Sequence, residues 1–205
     1  MIFIKNGHFN YSNLAWFIFI PLLAMGYSYP LIPWNKKSLR QVGWLKMASL
    51  SFIWSFTTVV LPLLMHPAQN EGESTTALIS VLFIHRFFFI ASLSFLFNIN
   101  DHEEDKQDGI NTIAVILGLQ KSLQKGKWIV LILNTATSLI LWYYLNIQQV
   151  IYIIVLLIPV SLLFLLYHRF SEEKDEVGFV ILYDGLMILK ALLLIFAVLT
   201  FSHKS

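Results

Sequence analysis

Six stretches of this chain are apolar almost without interruption, and each is long enough to cross hydrocarbon. They fall near residues 13–33, 43–65, 76–97, 127–146, 149–167 and 178–201, against the roughly 20 predominantly apolar residues that a membrane helix requires. The pattern predicts an all-α integral membrane protein of about six transmembrane helices, forming one domain over residues 1–205. Pro21, Pro62 and Pro159 fall inside the windows, where neighbouring helices or waters can satisfy the freed carbonyls. A short apolar piece from Thr112 to Leu119 precedes the fourth window; it reads either as a separate turn of helix or as part of a longer bent span.

The polar positions between the windows are unevenly charged. Ten of the fourteen lysines and arginines (Lys36, Lys37, Arg40, Lys46, Lys106, Lys121, Lys125, Lys127, Arg169 and Lys174) fall on one side of the predicted topology. Lys5 and Lys204 fall on the other, and Arg86 and Lys190 lie within spans. Basic residues are retained on the cytoplasmic side, so that side is assigned to the acidic loop described next, and the N-terminus is external.

That loop, residues 98–112, carries five carboxylates in the eight residues from Asp101 to Asp108. In a helix, Asp101, Glu104, Asp105 and Asp108 would share one face, and four like charges on one stripe repel unless a cation sits among them. A DxxxD pair such as Asp101 and Asp105 offers hard oxygen ligands from adjacent turns, suited to Mg²⁺ held together with a substrate's phosphates. An acidic loop between spans also matches a plain solvated face. Zinc is disfavoured, because His8, His66, His85, His102, His168 and His203 include no helical H-x-x-x-H pair.

Composition narrows the classes further. Hydrophobic residues make up 57% and charged residues 13%, well below the roughly 25% charged expected of a soluble domain, and no separate soluble domain or nucleic-acid partner is expected. The absence of cysteine excludes disulfides, iron–sulfur clusters and thiol nucleophiles. A removable signal peptide is not expected, since the first apolar run lacks a clear A-x-A cleavage site.

Ionisable groups inside spans are costly and need partners. Arg86 lies near the bilayer middle, about eleven residues or ~16 Å from the cytoplasmic end of its span, while Asp184 lies about 9 Å inside the last span and Lys190 about 9 Å deeper. A structural ion pair between Asp184 and a cation on another helix, Arg86 above all, is the expectation for these charges, ahead of acceptor binding. The neighbouring Phe87, Phe88 and Phe89 point in different directions around a helix, so most of them are expected to face lipid or other helices.

The string FNINDHEEDKQDGINTIAVILG resembles the second aspartate-rich motif of the UbiA-type intramembrane prenyltransferases. That motif reads as a DxxxD, a basic residue, a Gly and a Thr opening the next helix, and Asp101, Asp105, Lys106, Gly109 and Thr112 match it in order. LRQVGWLKMASLSFIWSFTTVVLP and YDGLMILKALLL are similar to a segment of some bacterial members and to their last span. The resemblance implies helices four to nine of a nine-helix fold around a lipid-accessible chamber, in a bacterial inner membrane. It implies transfer of a polyprenyl group from its diphosphate to a small acceptor, often aromatic, with Mg²⁺ as cofactor. Asp101 and Asp105, with Asp108 as an outer ligand, would hold the metal, and Lys106 would contact the diphosphate, with Lys121 and Lys125 as helpers. No catalytic residue is assigned.

Departures from the pattern set the alternatives. No N-D-x-x-D-x-x-x-D-like segment precedes residue 98, so the family's first motif and first three helices are expected to be missing. Asn98 and Asn100 stand where related sequences often carry Asp and Arg in an FDIRD-like run. A truncated enzyme inactive alone and a noncatalytic membrane subunit needing a protein that supplies the missing helices are both consistent with this. A cation transporter or channel is disfavoured, because Asp184 is the one acid within a span.

Overall fold

The computed structural model describes residues 11–30, 38–62, 73–145, 150–169 and 176–201. The window ends at 31–33, 63–65, 146 and 149 lie outside the described residues, as do His8, His66, His203, Lys5, Lys36, Lys37, Lys174 and Lys204. All described secondary structure is helical: α1 (Tyr11–Ser28), α2 (Gly43–Ser55), α3 (Glu73–Asn100), α4 (His102–Gln107), α5 (Ile113–Leu117), α6 (Leu119–Tyr144), α7 (Val150–Arg169) and α8 (Glu176–Phe201). A 3₁₀ turn, Leu39–Gln41, leads into α2, and a π-helical turn, Phe56–Val60, continues it. The π turn directly precedes Leu61 and Pro62. Proline cannot donate a helical hydrogen bond, and this wider winding is one way a helix absorbs the defect. The Thr57 and Thr58 hydroxyls donate back to the Ile53 and Trp54 carbonyls at 2.7 and 2.6 Å.

The apolar piece before the fourth window is a separate helix, α5. Gly118 breaks it from α6 at φ 81°, a conformation that L side chains rarely adopt.

Helix α3 is the hub. It packs against α2 on one side and α6 on the other and also touches α7; α8 lies on α7, and α1 on α2. The core joins Phe89, Ile90, Leu93, Leu96 and Ile99 of α3 to Val130, Leu163, Tyr167, Tyr183 and Leu186. Polar side chains fasten its seams: Asn134 Nδ2 donates to Ser92 Oγ at 2.7 Å, and the Tyr167 hydroxyl donates to the Ser92 carbonyl at 2.8 Å. Where α6 crosses α3, a side chain at Gly126 would meet the Phe95 ring, so the glycine permits the close approach.

The distribution of polarity is that of a protein in lipid. Small polar groups, among them Ser51, Ser55, Ser92, Ser122, Asn134 and Ser138, are buried between helices, while Ile132, Ile140, Leu165, Leu192 and Phe196 are exposed on the outside. In a bilayer, small residues and interhelical hydrogen bonds bind helices together, and apolar side chains face the solvent. Thr76–Asn100, Leu119–Tyr144 and Val150–Tyr167 are long and apolar enough to span, with Ala15–Ser28 a shorter apolar helix. The protein is an all-α integral membrane protein.

Candidate functional site

The acidic loop is folded rather than extended. Helix α3 ends at Asn100, and the Asp101 amide still donates to the Phe97 carbonyl at 2.8 Å. Asp101 itself, at φ −79°, ψ 7°, leaves helical geometry and redirects the chain into the six-residue α4. Gly109 closes α4 at φ 67°, with Ile110 N–H donating to the Asp105 carbonyl at 2.7 Å and Gly109 N–H to Lys106 at 3.3 Å. This is the paired bonding of a Schellman stop, in which glycine takes the left-handed position. Thr112 then caps α5, its hydroxyl accepting from the Val115 amide at 3.4 Å.

Against this compact insert stands the start of α2. A Cβ on Gly43 would collide with the Asn111 carbonyl oxygen, so α2 approaches the insert as closely as a bare backbone allows. One turn later Lys46 emerges on the same face. Its ammonium donates to Asp101 Oδ2 at 3.0 Å and to Asp105 Oδ1 and Oδ2 at 2.9 and 3.1 Å. The Lys46 and Asp105 side chains are 8% and 6% exposed and that of Asp101 25%, so water screens the Asp101 contact more than the Asp105 contact. Tyr27 of α1 lies within electrostatic reach of Lys46, Arg40, Asp101 and Asp105, and Tyr183 of α8 within reach of Tyr27. Elements distant in sequence thus converge at one end of the bundle.

The structure brings together some of the expected residues and disperses others. Asp101 and Asp105 meet around one cation. Glu104 and Asp108 do not share that cation: both are exposed, Asp108 on the closing turn of α4. Among the described residues no three acids or histidines gather as a metal-binding group, and Asp108, expected as an outer ligand, lies exposed on the turn after α4. Lys106, Lys121 and Lys125 are exposed as well.

Lys46, which the charge pattern placed among the cytoplasmic-side lysines, is instead the buried partner of both aspartates. Its signal was present: a lysine one turn inside the apolar run WLKMASLSFIW needs a partner. Gly43 and Tyr27 had no such signal.

The intramembrane charges require a correction. Asp184 is exposed and forms no ion pair with Arg86 or Lys190, because it points outward from α8 while Lys190 points inward. Lys190 is 2% exposed and its ammonium lies 3.7 Å from the centre of the Phe89 ring. Lys190 Nζ, Arg86 Nε and His85 Nε2 have no hydrogen-bond partner among the described residues. The ring contact returns at most about 2 kcal/mol, less than it costs to bury an amine nitrogen that has no hydrogen-bond partner. Lys190→Met is therefore expected to raise stability by about 1 kcal/mol, read from the unfolding midpoint in mixed micelles. A clear loss would show that the ammonium has a stabilising partner.

The sequence model of the UbiA prenyltransferase family matches residues 7–188, a segment that contains Gly43, Lys46, Asp101 and Asp105 and extends into α8. No curated protein and no solved structure matches the chain. With most of its length matched and its helices arranged as an integral membrane bundle, the chain belongs to the UbiA prenyltransferase family.

Proposed function

We propose that this protein transfers a prenyl group from its diphosphate to a small acceptor such as an aromatic ring, with the diphosphate bound at the Asp101–Asp105 pair. The observation that carries the reading is the cation grip: three carboxylate oxygens from a DxxxD segment converge on one positive charge at the end of the α3 span. The same hard donors suit Mg²⁺, and Asp101 and Asp105 would hold it, within the one or two carboxylates such sites commonly supply. Bound there, the metal would offset the charge that develops on the leaving diphosphate.

The chain's own groups do the rest. In the reaction the allylic C–O bond breaks with its electron pair leaving on diphosphate, and the acceptor's electrons form the new C–C or C–O bond as a proton is lost to solvent. Lys46 supplies a donor for a phosphoryl oxygen. The surrounding helices limit water access to the allylic cation, and the bilayer gives an apolar prenyl tail direct entry.

The test is pyrophosphate release by purified protein in lipid nanodiscs, with allylic diphosphates of increasing length. Release is expected to require Mg²⁺, to stop on chelation, and to fall roughly 100-fold in Asp105→Asn. Release that ignores both metal and Asp105 would defeat the proposal. A partner-requiring subunit is the second reading, favoured by the lack of a third acid beside the pair among the described residues. Binding of Mg²⁺ and pyrophosphate without turnover would select it.

A further inference from the structure

Lys46 has three N–H donors, and all three distances to Asp101 Oδ2 and the two Asp105 oxygens lie between 2.9 and 3.1 Å. The ammonium therefore fills the gap between the carboxylates that a divalent ion would need. At 7% exposure it has little access to water as an alternative partner. A Mg²⁺ ion on the same oxygens would lie within a few ångströms of a like charge, where repulsion in a poorly solvated site is strong. The two cations cannot share the pair.

We propose that Lys46 is a displaceable counter-ion: it holds Asp101 and Asp105 together in the ligand-free protein, then moves to a phosphoryl oxygen when a diphosphate ester docks, releasing the carboxylates to a divalent cation. The proposal rests on the reading of this pair as a diphosphate site. Three features make the exchange feasible. Lys46 sits on a flexible four-carbon stem and carries a compact charge. It comes from α2, so its movement leaves the Gly109-closed turn of α4 in place. A diphosphate brings several negative charges, a stronger partner for the ammonium than carboxylates already shared, and Arg40, exposed near the same end, can join it there. On this account metal and diphosphate bind cooperatively, because the second ligand draws off the cation that opposes the first.

The experiment titrates the full chain in nanodiscs with Mg²⁺ alone, then with inorganic pyrophosphate at fixed Mg²⁺, for wild type, Lys46→Met and Lys46→Arg. Lys46→Met is expected to bind Mg²⁺ alone roughly tenfold or more tightly than wild type, and to gain thermal stability from Mg²⁺ where wild type gains none. Its pyrophosphate affinity is expected to fall by about tenfold. Equal Mg²⁺ affinity in wild type and Lys46→Met overturns the proposal, as does unchanged pyrophosphate affinity. If Lys46→Met does not fold in the absence of metal, rescue by Mg²⁺ supports the exchange; failure with Mg²⁺ present, while Lys46→Arg folds, assigns Lys46 a purely structural role and overturns it. A wild type that binds no pyrophosphate under any condition defeats the diphosphate reading itself. That result is separate from the metal-alone comparison, which still reports whether Lys46 competes with the ion.

Discussion

Lys46→Met, in the absence of divalent metal, is expected to destabilise the protein by about 3–5 kcal/mol. The size follows from burial. Lys46 and Asp105 are nearly inaccessible to water, so removing the ammonium leaves a carboxylate desolvated and unpaired. Asp105→Asn should cost a similar amount, leaving the lysine with Asp101 alone. Asp101→Asn should cost only about 1 kcal/mol, because water reaches that carboxylate and screens its contact. The Lys46→Met/Asp105→Asn double variant should be far less damaged than the sum of its parts, since neither charge is then stranded. A double-mutant cycle by reversible unfolding in mixed micelles measures this directly. Additivity within about 0.5 kcal/mol would mean that the two groups are energetically independent, and the salt bridge would lose its place as the organiser of the site.

Gly43→Ala is expected to lower stability by about 1–3 kcal/mol and to reduce pyrophosphate release by about tenfold. The added methyl would meet the carbonyl of Asn111, with the Asn111 carbonyl carbon at 3.1 Å. A flexible side chain could swing away from such a contact, but a backbone carbonyl held between the α4 stop and the α5 cap cannot. Relief requires α2 to back off, which carries Lys46 from the aspartates. Gly185→Ala is the matched control, as no atom lies within 4 Å of its added carbon. Equal behaviour of the two variants would show that the α2 contact does not position the site.

Much of the scaffold was legible in the chain because a bilayer imposes a simple rule: backbone groups must be satisfied within each segment, so a long apolar run becomes a helix. The Gly and Thr singled out by the motif resemblance act at 109 and 112 as a left-handed stop and a helix cap; of the two, the opening of the next helix by Thr112 was the part legible in the string. The cross-helix partnerships were hidden. Lys46 is 55 residues from Asp101, and no periodicity reports which helix it will face. Depth arithmetic placed Arg86, Asp184 and Lys190 along their axes but left their direction around the helix open, so the expected Asp184 ion pair missed that Asp184 faces outward while Lys190 turns in toward Phe89. The stripe of acids likewise left its partners open: Lys46 takes Asp101 and Asp105, while Glu104 and Asp108 are exposed.

The separation of 59 residues between Lys46 and Asp105 also orders events during synthesis. At about 5–20 residues per second, the lysine leaves the ribosome roughly 3–12 s before the carboxylate that will neutralise it. Through that interval the second hydrophobic segment carries an unmatched cation near its boundary, which favours a shallow, interfacial waiting position. The carboxylate that neutralises it emerges only with α4.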